Sequence, residues 1–478
     1  MEVSQFQSPL QLPSPGSEAA RSRVRILVVS QRQVPQKDWV ANAVPFEFED
    51  WIVALDQAQV VAPRPRRSKL RDLRAIWMAL GSASNRVSPT ADTQFEDLQA
   101  VRSPLRSHGQ SLKNRFKNRF KNHFKNHFKN LLKTLLWATP ISHWIAPQFE
   151  PIAADVLAEE YDLLYCIFSE PWEVFSLRSL PDWRKRCKFA VCHFVELWPK
   201  ELDDLALLKQ EYAQFDKFYS NTFFTTSEIT EITGISCQYL PLTVDAIKFC
   251  PYPNPPERSI DVTYIGRRSN ATHDALLNLA QTRNFFYLYD TAKQFRTANH
   301  AEHRALLAMQ LKRSRYFFAN CSKLDDSCSQ GRMPEFGWRF FEGLASGTIV
   351  LGKTPDTEIF RQCFDWPNAV ISLPFDLPNI AEILTDLDQR AERLEQARYD
   401  SILNALQRYD WLYIWSQILS DFDLATTEKM QQRQCEIDAL VERVKAERAK
   451  AGDRDRLAHK TSHTCGDEPP FIRLLDPS

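Results

Sequence analysis

The 478-residue chain is 44% hydrophobic, with 60 Lys+Arg against 60 Asp+Glu; that is enough apolar content for two cores, and it excludes a disordered, collagenous or disulfide-stapled miniature protein. The zero net charge conceals residues 98–149, which hold ten Lys or Arg and no acid; a nucleic-acid binder would spread basic character over a docking face, so no nucleic-acid partner is expected. Ten cysteines without a CxxC pair or matched Cys/His spacing indicate neither a zinc site nor a disulfide framework, and point to a reducing, cytoplasmic compartment.

Residues 1–21 lack a basic n-region and a continuous apolar run, and read as a disordered leader rather than a signal peptide. A first domain is expected over 22–244. Its strands are VRILVVS (24–30), YDLLYCIF (161–168), KFAVCHF (188–194) and KFYSNTFFTT (217–226), short apolar runs alternating with more polar stretches, as in a parallel sheet covered by helices.

Within that domain, residues 112–136 repeat a four-residue unit that places Phe116, Phe120, Phe124 and Phe128 at i, i+4 among basic residues. An aromatic stripe beside a Lys/Arg face suits a helix lying on an anionic membrane surface. A low-complexity insertion that packs its phenylalanines on the domain or stays disordered, or an RNA-binding element, are the other readings. The apolar stretch 131–149 is interrupted by Lys133, Pro140, Ser142 and His143, so no spanning helix is expected and membrane association would be peripheral.

Five prolines in LPLTVDAIKFCPYPNPPERS (240–259) mark an interdomain linker with its boundary near 245. A second domain is expected over 245–404. Its strands are DVTYIG (261–266), NFFYLY (284–289), RYFFAN (315–320), TIVLG (348–352) and AVISLPF (369–375), with helices at 271–281, 301–313, 338–346 and 356–363. Each block reads as one doubly wound, Rossmann-like α/β domain. RYDWLYIWSQIL, within a segment 405–425, needs a surface for its aromatics and reads as a helix crossing back to the first domain. Residues 426–478 read as an exposed charged helix fraying into a disordered tail.

The sharpest constellation is GRMPEFGWRFFEGLASGTIVLG (331–352): a turn ending at Gly337, an amphipathic helix closed by Gly347, and a strand. The start of that helix falls at the carboxyl edge of the sheet, where doubly wound folds bind ligands and helix amides meet phosphates. Glu342, one turn in, fits a ribose diol and fits a solvated helix face equally well. GxGxxG and GxxxxGK[ST] are both absent, which argues against a dinucleotide oxidoreductase and a P-loop kinase. The Asp-x-Asp pairs at 386/388, 421/423 and 453/455 lie in helical or tail contexts and do not read as a metal site.

At Phe336-Gly337, Glu342, Ala345 and Gly347 the sequence resembles the GT-B glycosyltransferases that use nucleotide-sugar donors. The acidic position of the commonest form of that motif falls on Pro334, with Glu335 one place later. A form with Arg before Phe-Glu, found in a CgeB-like subgroup, is approached by Arg339 to Glu342 with one extra Phe. YLPLTVDAIKF (239–249) resembles the family's interdomain segment, DVTYIGRR (261–268) its first donor-domain strand running into a Gly-Arg turn, and RYDWLYIWSQIL its crossing helix.

The resemblance implies GT-B architecture, with two Rossmann-like domains facing a cleft. It implies transfer of a sugar from a nucleotide-diphosphate sugar to a sugar, lipid or protein acceptor, without metal or other cofactor. Donor binding would fall to Gly266, Arg267, Arg268, Glu335, Phe336, Gly337, Arg339 and Glu342. An always-charged guanidinium fork at Arg267 or Arg268 suits a departing diphosphate. The family's lysine after the Gly-Arg turn is missing, and Arg339 or Lys353 stand as substitutes. His193, ending a strand, and Glu196 just beyond it would supply the proton acceptor at the acceptor hydroxyl, against a plainly structural role for a strand-end histidine. The rival readings are a degenerate GT-B scaffold or binding protein at a membrane and a sugar-nucleotide epimerase.

Overall fold

The computed structural model describes residues 24–33, 43–66, 148–152, 159–289, 297, 299–322 and 334–461, with side chains to 450. The leader 1–21, the basic Phe repeat 112–136 and the end of the tail lie outside the described residues, and so do Gly331, Arg332 and Met333 of the constellation above.

Six strands form the first sheet: β1 (Ile26–Val29), β2 (Gln59–Val61), β3 (Tyr161–Phe168), β4 (Cys187–Phe194), β5 (Lys217–Ser220) and β6 (Cys237–Tyr239). Their order is β2-β1-β3-β4-β5-β6 and every pair is parallel. Leu163 to Phe168 are all buried, as expected of strands covered on both faces. The second sheet holds β7 (Ile260–Tyr264), β8 (Tyr287–Tyr289), β9 (Ser314–Phe318), β10 (Ile349–Gly352) and β11 (Ile371–Ser372), in the all-parallel order β11-β10-β9-β7-β8. In both sheets the first and third strands are neighbours, so successive crossovers leave them in opposite directions. That divergence opens a crevice at their carboxyl ends.

Thirteen α-helices occur among the described residues: α1 (Ala43–Asp56), α2 (Leu202–Leu207), α3 (Lys209–Tyr212), α4 (Thr226–Thr233), α5 (Ala246–Phe249), α6 (Asn270–Thr282), α7 (His300–Lys312), α8 (Trp338–Ala345), α9 (Glu358–Cys363), α10 (Ile380–Asp388), α11 (Ala391–Arg408), α12 (Trp411–Ser420) and α13 (Glu428–Thr461). None is long and apolar enough to cross a membrane. Among the described residues eight cysteines are free, seven of them buried.

Two elements depart from the sequence reading for local reasons. KFYSNTFFTT stops being a strand at Ser220, because the Ser220 hydroxyl accepts the Thr222 amide at 3.1 Å and the Thr225 and Thr226 hydroxyls donate to the Thr222 carbonyl at 3.3 and 3.1 Å. These bonds curl 223–225 into a 3-10 turn. AVISLPF contributes just Ile371–Ser372 to the sheet.

Crossing helix α12 lies on the first domain. Trp415 Nε1 donates to Asp56, its ring centroid is 5.3 Å from that of Tyr165, and Trp411 stacks on Phe48 at 4.7 Å. Helix α13 corrects the expectation of an exposed helix. Met430, Ile437, Val441 and Val444 form one stripe at helical spacing and are all buried. That stripe packs the helix along α11, with Thr427 donating to the Leu55 carbonyl of the first domain at 3.0 Å and Arg448 paired with Asp400 of α11 at 3.0 Å.

Candidate functional site

At the carboxyl edge of the second sheet, β7 ends in Tyr264, and Gly266 makes the turn with φ +87, a conformation open to glycine and costly for other residues. Arg267, exposed, and Arg268, half-buried with its guanidinium 5.2 Å from the Tyr289 ring centroid, follow it. Ser269 then caps α6: its hydroxyl accepts the Thr272 amide at 3.2 Å and donates to Asp376 at 2.5 Å. Tyr264 pins this edge, receiving hydrogen bonds from the Ser269 amide at 3.1 Å and from Asn320, just past β9, at 2.9 Å. Two arginines therefore stand directly before the amide end of a 13-residue helix.

Helix α8 brings a second amide end to the same edge. A Cβ on Gly343 would stand 2.6 Å from Val350 and 2.9 Å from Phe317, so the absence of a side chain lets α8 lie flush on β9 and β10. Phe336 is buried among Phe341, Phe360 and Phe364, so its ring belongs to the core, while Gly337 begins the helix. The Glu335 carboxylate turns the other way and accepts the Phe224 amide of the first domain at 3.4 Å. Burial, with a smaller push from Glu196, raises its pKa to about 8 against the pull of the Phe224 and Phe223 amides.

Glu342 is 1% exposed, with one oxygen on Arg339 at 2.9 Å and the other on Arg304. Burial alone would raise its carboxyl; Arg339 and Arg304 outweigh that and hold it below its ordinary value. Arg304, fully buried on α7, reaches across to Glu47 of α1 at 2.7 Å, and Lys248 takes the other Glu47 oxygen. A buried chain Glu342–Arg304–Glu47–Lys248 thus runs from the second domain into the first. Nothing in the spacing of Glu47 or Arg304 announces that role.

On the first domain, His193 ends β4 and is 3% exposed; its Nδ1 lies 2.6 Å from the Tyr165 hydroxyl. Burial pushes the imidazole down to about 4, with Asn221 a smaller opposing influence. The ring is therefore neutral. Because the buried Tyr165 hydroxyl also keeps its proton, that proton is assigned to the bond with Nδ1, leaving Nε2 as an N–H donor. Nε2 has no hydrogen-bond partner, and neither do Thr243 Oγ1, Trp338 Nε1 and Trp411 Nε1. All four residues line one cavity of about 10 Å³, room for about one water, together with Phe48, Asn221 and others. The cavity is walled by the first domain, the linker, the start of α8 and the crossing helix. Four orphaned polar atoms, at least two of them fixed N–H donors, converge where the two carboxyl edges meet. Glu196 is exposed beside it, 3.5 Å from Trp198 Nε1.

The structure thus places His193 and Glu196 on the first-domain wall of the crevice, Glu335 on the second-domain wall with Gly337 and Arg339 at the start of α8, and Gly266, Arg267 and Arg268 along the donor edge. Tyr165, Thr243, Trp338 and Trp411 were missed by sequence reasoning. Trp338 adjoins the recognised turn and Tyr165 meets His193 across two neighbouring strands of the first sheet, whereas Thr243 and Trp411 take part because the linker and the crossing helix pack onto that sheet. Among the described residues, no group of three His, Cys, Asp or Glu side chains stands close enough to hold a metal ion.

Two doubly wound Rossmann-like domains facing a cleft, with a late helix returning to the first, make this an α/β protein of GT-B architecture. No family model and no curated protein matches the chain. Among solved structures, the Anabaena protein HepE in complex with UDP and glucose is 10% identical with a TM-score of 0.43, over 84% of this chain and 99% of its own. α,α-Trehalose 6-phosphate synthase from Burkholderia multivorans is 10% identical with a TM-score of 0.41, over 84% and 98%. The pneumococcal O-GlcNAc transferase GtfA, in complex with UDP and GlcNAc, is 12% identical with a TM-score of 0.33, over 56% and 58%.

Proposed function

We propose that the protein transfers a sugar from a nucleotide-diphosphate sugar to a hydroxyl acceptor in the crevice between its domains. The observation that carries the reading is the interdomain cavity at the start of α8, lined by His193, Thr243, Trp338 and Trp411 with His193 Nε2, Thr243 Oγ1, Trp338 Nε1 and Trp411 Nε1 all without partners. Buried donors without acceptors cost stability, so their retention fits a ligand rich in oxygen that enters when the domains part.

In this reading Arg267, Arg268 and the amides after Ser269 and Gly337 meet the charge that develops on the leaving diphosphate. Arg339 lies on the same edge, held by Glu342. Glu335 is neutral near pH 7 and presents a carboxylic acid, and Gly266 and Phe336 shape the turn and the helix start. Neutral His193 donates to a sugar or acceptor oxygen, and Glu196, exposed at the mouth, accepts the acceptor's proton. The acceptor is a saccharide, lipid or protein hydroxyl, and tethering of the enzyme to an anionic membrane through 112–136 belongs to the same proposal.

A second reading, a GT-B binding protein without turnover, is favoured by Glu342, whose two oxygens are already taken by Arg304 and Arg339. Calorimetric titration with UDP and GDP, on the wild type, Arg267→Ala/Arg268→Ala and Glu342→Ala, tests the donor site. Saturable binding of either nucleotide is expected, weakened at least tenfold, about 1.4 kcal/mol, by the arginine pair. Binding of neither nucleotide overturns the donor site, and binding of UDP without release of UDP from any UDP-sugar tested supports the second reading.

A further inference from the structure

At the amino edge of the second sheet, opposite the crevice, a pocket of about 400 Å³ opens between the interdomain linker, α11 and α13. A cavity of that size is in the range of small-ligand sites. Its floor is two arginines. Arg258 donates to the carbonyls of Ser314 at 2.7 Å and Ser346 at 3.0 Å, and Arg398 to those of Gly347 at 2.9 Å and Arg315 at 3.2 Å, so both are anchored where β9 and β10 begin. Burial, with Arg398 beside it, pushes Arg258 down to about 9. Tyr252 and Tyr399 stand together in the wall, ring centroids 6.4 Å apart and planes 26° apart. Glu395, about half exposed, and Glu447 line the opening, and linker prolines complete it.

The charges select the occupant by elimination. A phosphate would reach the guanidiniums past Glu395 and Glu447, and half of the ten guanidinium donors are already on carbonyls. A metal cation would sit over two buried positive charges, in a place without three suitable ligands. A neutral polyol meets neither conflict: its hydroxyls donate to the carboxylates and to the tyrosine hydroxyl oxygens, whose own protons run from Tyr252 to Tyr399 and from Tyr399 to Glu395, and its C–H face packs on an aromatic ring. We propose that this pocket is a non-catalytic binding site for a short neutral saccharide, held by the Tyr252–Tyr399 pair and by Glu395. The walls belong to the linker and to α13, so an occupant also braces the linker against that helix. The site stands apart from the crevice and does not require the transfer reaction.

The test is titration calorimetry and saturation-transfer NMR on the full chain with a panel of neutral malto-, cello-, manno- and galacto-oligosaccharides, with inorganic phosphate as a parallel probe. Tyr252→Ala and Glu395→Gln are the variants, both at exposed or half-exposed positions, with thermal melts to confirm folding. At least one saccharide should bind saturably, at least tenfold more weakly to Tyr252→Ala and several-fold more weakly to Glu395→Gln, with no change in Arg268→Ala or in the presence of saturating UDP. The proposal is overturned if no saccharide in the panel binds, if binding is indifferent to both folded variants, or if phosphate binds and displaces the saccharide.

Discussion

His193 and Glu335 lie on opposite walls of the crevice and are both held neutral by burial, which gives them opposite signatures against pH. The folded imidazole titrates near 4 against 6.5 when exposed, so between those values the unfolded chain binds a proton that the folded one does not. Its contribution to stability is therefore intact above about pH 6.5 and is lost as pH falls toward 4. Glu335 titrates near 8 against 4.5, so the folded state holds the extra proton, and stability is lost as pH rises from 4.5 through 8. Each limb has a slope of at most about 1.4 kcal/mol per pH unit. In urea unfolding at stepped pH, Glu335→Gln should flatten the alkaline limb and leave the acid one, and His193→Asn the reverse; an unchanged profile in Glu335→Gln would mean that this carboxyl is ionised in the folded protein. The sequence exposes part of this site. Strand ends are readable from apolar runs, so His193 and the Gly266–Arg268 turn could be placed at carboxyl edges. That Glu335 caps a turn of the other domain, or that Thr243 and Trp411 line one cavity with His193, depends on packing between segments 50 to 218 residues apart in the chain, which no local pattern encodes.

Among the elements, strands were the most legible, because both faces of a parallel sheet are covered and the chain writes them as continuous apolar runs: YDLLYCIF is β3 residue for residue. Short edge strands such as β2, with three residues, carry too little pattern to stand out. Helix α13 was misread because its charged majority masks Met430, Ile437, Val441 and Val444, a stripe that is sparse but regular. Its polar anchor is Arg433, which reaches Asp245 at 2.8 Å and Asp410 at 2.7 Å, one acid from each of the two chain crossings between the domains. Those crossings run side by side, with the Val244 amide on the Tyr409 carbonyl at 2.9 Å and the Ala246 amide on Asp410 at 2.9 Å. Arg433→Ala would leave Asp410, whose side chain is 0% exposed, without its cation. Breaking one partner from a buried pair costs about 3–5 kcal/mol. Denaturant unfolding should show a loss of that size, accompanied by faster proteolysis within 240–259; a loss below about 0.5 kcal/mol would mean that α13 does not hold the hinge.

The whole molecule is closed, and the polar bonds that close it are few and specific. Glu47 on α1 meets Arg304 on α7 at 2.7 Å, His300 meets Asp50 at 2.6 Å, and Glu335 takes the Phe224 amide. Any ligand larger than a water reaches the His193 cavity by separating these contacts, so the Arg304 chain sets part of the cost of opening. Each carboxylate in it has a second cation, Lys248 for Glu47 and Arg339 for Glu342, whereas Arg304 has no exposure through which water could replace its partners. Replacing Arg304 by Met should therefore cost about 3–5 kcal/mol, and replacing Glu47 by Gln less, because its loss leaves Arg304 still bound to Glu342. If the domains are docked in solution, the double variant should cost less than the sum by about 1 kcal/mol or more, since directly paired residues couple by roughly 0.5–3 kcal/mol. Burial also makes that coupling nearly independent of salt, unlike an exposed pair. A strictly additive cycle, together with a radius of gyration from small-angle scattering that is the same in wild type and Glu47→Gln, would show that the free protein stands open and that closure awaits a ligand.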